Sequence, residues 1–321
     1  MKRTRSQKSE VRSQKKAGAG LLSSVFCLLS SSSRRRPRLH QLAWVFLALL
    51  FLAALFSDRI AGASYAHQFR DFPSAPISWR FLLGTDALGR DRLARLLAAT
   101  RISLLLAPAA AVFSTALATL IGGLAGYRGG LIDRIAVRAI DLMLSLPWIF
   151  LLIAARALLP LNVSPAVSVL ITFALLGALG WAGPARVIRA GVRDMRSSDF
   201  LLQARACGCR GFRLLLRQLA PNLKPVLLAQ FWTAIPLFIL SEANLGLLGL
   251  GVSDPLPSWG NLLRELETDL AFNPGIVACL ALMLAVLGCF RVVTEQKTEV
   301  RIQKSEDRSQ NNSLRGRPLI I

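Results

Sequence analysis

The sequence predicts an all-α integral membrane protein with six transmembrane helices, and three observations carry that prediction. Hydrophobic residues make up 53% of the 321-residue chain and mean hydropathy is +0.48, too apolar for an ordinary soluble domain. The apolar residues fall into separate runs, each near the roughly 20 residues that cross a hydrocarbon core of about 30 Å. The formal net charge of +21 is not gathered into one patch. Lys and Arg cluster between and outside the apolar runs, as orientation in a membrane requires.

The same composition excludes other classes. A basic nucleic-acid binder wants one charged face with aromatic side chains to stack on bases, and only two Tyr are present. Cys27, Cys207, Cys209, Cys279 and Cys289 are odd in number and fit neither a zinc nor a redox spacing, so all five are expected as unpaired thiols. With His40 and His67 as the only histidines, a histidine-based metal site is not expected. No Gly-x4-Gly-Lys-Ser/Thr loop occurs, so the chain is not expected to bind or hydrolyse ATP.

Residues 1–38 hold eleven Lys or Arg against one acid, Glu10, and read as a disordered cytoplasmic tail. The apolar run Leu21–Leu29 is not a signal peptide, because Arg34, Arg35 and Arg36 follow it instead of a small-residue cleavage site. The first transmembrane helix covers 39–57, where His40–Ser57 lacks any Lys, Arg, Asp or Glu. Residues 58–100 form an extracytoplasmic segment that ends in an amphipathic run. Residues 101–290 then hold five further spans. Ile102–Tyr127 is uncharged, and Tyr127–Gly130 is a turn. Ile135–Leu159 is interrupted by Arg138, Asp141, Pro147 and Arg156. Ala157–Ala185 follows, then Pro225 to about Gly251, and last Leu270–Phe290.

Asp141 and Arg138 lie one turn apart and can pair. Glu242 is the most deeply placed acid. An ionisable group at such depth is a functional candidate, with a helix-packing hydrogen bond as the plainer reading. Asp141 and Glu242 are therefore the candidates for a transport pathway.

The cytoplasmic loop 184–224 does not read as a loop. Arg186, Arg189, Arg193 and Arg196 line one helix face leaving the membrane. Beyond them, Phe212, Leu215, Leu216 and Leu219 fall at i, i+3, i+4 and i+7, one apolar face of a short helix bounded by Gly208 and Pro221.

This stretch, Asp199–Asn222, resembles the coupling loop of ABC importer permeases, whose pattern is Glu-Ala-Ala, three residues, Gly, nine residues, Ile, one residue, Leu-Pro. Ala204, Gly208 and Pro221 match it, while Leu202, Gln203, Gln218 and Ala220 depart from it. A second stretch resembles the dipeptide, oligopeptide and nickel branch of that family. Gly84, Thr85, Asp86, Gly89, Arg90 and Asp91, with Arg101, Ile102 and Ser103, match its Gly-Thr-Asp, Gly-Arg-Asp and Arg-Ile-Ser elements. A third stretch carries the branch's Gly-Leu-Gly-Val and Pro-Ser-Trp-Gly elements at Gly249–Val252 and Pro257–Gly260.

The resemblance implies a C-type permease with the type I importer fold in a bacterial inner membrane. It implies two ABC ATPase subunits, a second homologous permease and an extracytoplasmic substrate-binding protein as partners. ATP hydrolysis would sit in those partners, and no cofactor is implied for this chain. Ala204, Gly208, Phe212, Leu215, Leu216 and Pro221 would couple to the ATPase. The 84–91 motif would shape the outer rim or meet a partner. Di- or oligopeptides are the first substrate expectation, with nickel chelates and glycosides also carried by the branch.

The tail 291–321 departs from the family. Arg301–Gln310 nearly repeats Arg5–Gln14, a low-complexity repeat that reads as a replaced, cytoplasmic end. Two other classes fit less well. A secondary transporter wants several mid-membrane ionisable groups, and a scaffold or inactive remnant would fit the departures at Leu202 and in the tail.

By the positive-inside rule both termini are cytoplasmic. The loop after the third span has no Lys or Arg, whereas Pro184–Lys224 has nine. The segment 58–101 disagrees, with seven Arg against four Asp. Its arginines from Arg90 onward are expected to snorkel at the interface.

Overall fold

The computed structural model describes residues 37–159, 163–196, 198, 203, 206–207, 220–252, 254–268 and 277–294. Both tails, the start of the sixth span and most of the 199–222 stretch lie outside them, including Ala204, Gly208, Phe212, Leu215 and Leu216. Contacts divide the chain into units 1–42 and 43–321. Of the first, only the opening turns of one helix are described.

Ten helices are described: α1 Pro37–Leu55, α2 Ser57–Ile60, α3 Arg92–Arg128, α4 Gly130–Ser145, α5 Trp148–Ala157, α6 Pro165–Leu179, α7 Ala182–Arg196, α8 Ala220–Leu247, α9 Trp259–Thr268 and α10 Val277–Thr294. No strand occurs among the described residues, only two isolated bridges, Gln68 with Arg90 and Thr85 with Asp91.

Among the described residues, four helical stretches are long and apolar enough to cross a membrane: α3, α6 continued into α7, α8 and α10. The pair α4–α5 passes the same test as one span, bent by 91°. The apolar helix Leu39–Leu55 within α1 is shorter. Its 17 residues lie at the lower limit of a crossing helix.

The helix ends follow local chemistry. Pro37 and Pro165 open α1 and α6, where a missing N–H is no loss. Asp91 caps α3, its carboxylate accepting from Leu93 N at 2.8 Å. At 37 residues, α3 is roughly 55 Å long. It exceeds the hydrocarbon core, so the amphipathic run after Asp91 and the second span are one continuous helix. Pro147 ends the α4 direction because it cannot donate to the ladder, and the chain turns there into α5. This is the interruption of the third span that the sequence showed.

The larger core joins α3, α5, α6, α8, α9 and α10 around Phe173, Leu176, Ile235, Phe238, Trp259 and Val286. A smaller cluster near the other end joins Ile140 of α4, Ile188 and Val192 of α7, and Leu223 and Val226 of α8.

The tightest helix pairing is α3 on α7. Gly122 and Gly126 let the two backbones touch: a Cβ on Gly122 would run into the Ala185 carbonyl, and one on Gly126 would lie 2.7 Å from the Arg189 carbonyl oxygen. Small residues four apart are the usual means of close helix approach in lipid. Gly122→Val should therefore lower thermal stability in detergent by about 1–3 kcal/mol through overpacking. Gly123→Val, where a Cβ meets nothing within 4 Å, should leave stability nearly unchanged.

Candidate functional site

The 84–91 motif folds into a knot around one carboxylate. Asp86 is buried. Its Oδ1 accepts from Leu88 N at 2.9 Å and Arg90 N at 2.7 Å; its Oδ2 accepts from Arg90 Nε at 2.6 Å and Arg95 Nη1 at 2.8 Å. Thr85, fully buried, donates to the Phe72 carbonyl at 2.6 Å and accepts from Ala75 N at 2.8 Å. Gly84 and Gly89 both have φ of +73°, which glycine adopts freely. A Cβ at Gly84 would sit 2.5 Å from the Ala75 carbonyl oxygen, and one at Gly89 would strike that of Phe69. Burial pushes the Asp91 carboxyl above its usual range, against the pull of the Leu93 and Ala94 N–H groups.

All six motif residues are thus brought together, and the polar side chains bond inward. The expectation that the arginines from Arg90 snorkel is corrected here. Arg90, Arg92 and Arg95 are buried, because Asp86 sits at hydrogen-bonding distance from two of them. Asp254, exposed and carried by the segment after α8, reaches Arg90 Nη1 at 3.4 Å and ties the knot to the third family stretch.

A second knot closes that stretch. Arg156 of α5, 1% exposed, donates to the Leu250 carbonyl at 3.0 Å and the Ser168 hydroxyl at 2.9 Å. Trp259, fully buried, donates from its indole to Thr100 of α3 at 3.1 Å. Glu242 lies in α8 near this turn, 1% exposed. The Ser258 hydroxyl is within interaction range, but neither carboxyl oxygen has a hydrogen bond of good geometry. The plainer reading of Glu242 as a helix-packing bond therefore has Ser258, at the turn after α8, as its partner.

Asp141 does not pair with Arg138. It is exposed, and it accepts instead from Arg186 of α7. One helix face higher, Arg189 chelates Asp133 of α4 through Nε and Nη2, the latter at 2.6 Å. α7 is thus held by two ion pairs to α4 and by backbone contact to α3. Asp133 and Arg95 carry no signal in the sequence, and Arg156 reads there only as an interruption. Their partners are 9 to 94 residues away, beyond any local periodicity. Pro221, the one matched coupling residue described, is exposed at the start of α8.

Six apolar crossings or near-crossings, a buried knot around Asp86 and a helix fastened to two neighbours make up the described part of the chain. Residues 118–294, more than half of the chain, match the model of the binding-protein-dependent transport system inner membrane component family. The chain belongs to this family. It is a multi-pass inner-membrane permease subunit of an ABC importer. Among its relatives, the dipeptide transport system permease protein DppC of Bacillus subtilis (strain 168) is 32% identical, with 72% of this chain and 71% of that one covered. The di/tripeptide transport system permease protein DppC of Pseudomonas aeruginosa (strain UCBPP-PA14) is 35% identical over 69% and 73%. The oligopeptide transport system permease protein OppC of Haemophilus influenzae is 32% identical over 65% and 66%. The knot around Asp86 lies before the matched region, which runs from within α3 to the end of α10.

Proposed function

We propose that this permease forms half of the translocation pathway of a peptide importer. Two ATPase subunits would drive it through the loop around Gly208. A second permease would complete the pathway, and a substrate-binding protein would deliver di- or oligopeptides from outside. Both termini are cytoplasmic in this reading, and the chain is not itself an enzyme. The peptide substrate follows the names of the similar permeases.

The observation that carries the coupling role is the fastening at both ends of the 199–222 stretch. α7 enters it locked to α3 and α4, and α8 leaves it with Leu223 and Val226 packed against Ile188 and Val192. A push on the loop is then delivered to three spans together, which is what alternating access by rigid-body movement needs. Glu242, buried with the Ser258 hydroxyl in reach, is proposed as the pathway candidate. Asp141 is proposed as part of the α4–α7 fastening as well as a candidate on the inner mouth.

The test is the assembled complex in lipid nanodiscs. ATP hydrolysis should rise several-fold with a peptide-loaded binding protein and not with one loaded with a nickel chelate or glycoside. Indifference of hydrolysis to every ligand, with uptake stopped by a proton uncoupler, would replace this reading with a secondary transporter. Orientation is checked separately. In a cysteine-free background, Arg193→Cys should react with an impermeant thiol reagent only from the cytoplasm, and Asn261→Cys only from outside.

A further inference from the structure

A trough of about 610 Å³ runs between α3 and α8. Val112 and Leu120 of α3 and Leu228 and Phe231 of α8 line it, with Thr115 in its floor and Lys224 at one end. From Val112 to Leu120 it extends roughly 12 Å along the helix, most of the ~15 Å hydrocarbon depth of one leaflet. In a six-span chain α3 and α8 cross in opposite senses, so Lys224 stands at the cytoplasmic end, beside Leu120. No ion pair to Lys224 occurs among the described residues. Thr115 is buried, and its Oγ1 has no hydrogen-bond partner there either.

We propose that this trough binds an anionic phospholipid of the cytoplasmic leaflet. The site is amphipathic in the order a phospholipid is. A cation stands where a phosphate would lie, and an apolar channel of acyl-chain length continues beyond. A soluble anion would find one cation and mostly hydrocarbon walls. An uncharged chain would leave Lys224 without a counter-charge. A basic residue in a cleft between spans on the cytoplasmic side is the known setting for headgroup capture. The assignment rests on the cytoplasmic placement of the 184–224 loop proposed above.

The test uses the complete complex equilibrated with equal phosphatidylglycerol and phosphatidylcholine, gel-filtered in detergent, with retained lipid identified by mass spectrometry. Phosphatidylglycerol should be retained preferentially. Lys224→Glu should lower its retention at least about five-fold, the weight of one basic residue near an anionic surface. Lys224→Arg should preserve it. Equal retention of the two lipids by the wild-type complex, or unchanged retention in Lys224→Glu, would overturn the proposal. So would quantitative cross-linking of Leu228→Cys to the second permease, which would show the trough filled by protein. ATPase co-purification is read in the same samples. Its loss would count against the importer reading, whereas lost lipid preference with the ATPase still bound counts against the lipid site alone.

Discussion

Asp86→Ala should destabilise the permease by about 3–5 kcal/mol, the cost of removing one partner of a buried ion pair. The carboxylate answers two guanidinium groups and two backbone N–H groups at once, so its loss takes from buried Arg90 and Arg95 a counter-charge nearer than Asp254. Asp86→Asn, which keeps an acceptor but no charge, should cost less. Replacing Arg95 with Met in the Asp86→Ala background should recover part of the loss, since that buried charge is then gone. Thermal unfolding in detergent reads all three. Wild-type stability for Asp86→Ala would mean that the knot does not hold the extracytoplasmic segment to α3.

Gly208→Val should abolish transport and weaken ATPase association, while insertion and permease abundance stay near normal. In the proposed coupling role, glycine there would set the turn into the short helix expected from the sequence and keep the approach of another surface clear. Leu216→Asp separates the two faces that the apolar stripe could take. If the stripe meets the ATPase, the variant loses the partner and keeps its abundance. If the stripe packs on its own spans, abundance falls, because a large apolar side chain contributes roughly 1.5–3 kcal/mol when buried. ATPase co-purification measured beside permease abundance decides between them, and normal transport by Gly208→Val would end the coupling-loop reading.

The crossings were legible in the sequence because lipid imposes length and polarity directly. Ile102–Tyr127 and the run from Pro225 appear as helices with shifted ends. The shifts have local causes: Asp91 caps α3 ten residues early, and α8 runs through Pro225 instead of starting there. The motif residues 84–91 were legible as a group but not as a knot, since Asp86 is organised by Arg95, one helix turn beyond the motif. Pairings across distant elements were not legible. Asp141 has Arg138 as its nearest sequence neighbour of opposite charge, yet α7 brings Arg186 to it. Charge periodicity reports which face a residue occupies, and only tertiary packing decides what that face meets.

The break at Leu146–Pro147 has a consequence for what surrounds it. A span bent by 91° leaves the last carbonyls of α4 without their ladder donors, apart from Leu142, whose oxygen receives the Ser145 hydroxyl at 2.7 Å. Hydrocarbon offers such groups nothing, at several kcal/mol for each one left bare. Lipid tails therefore cannot be the neighbour on that side of the elbow; protein or water must be. The indole of Trp148, the first residue past the bend, donates at 2.8 Å to Ser241, immediately before Glu242. The elbow is thus joined by one hydrogen bond to the residue before the buried acid, and a wetted elbow would bring solvent to within a few side chains of Glu242.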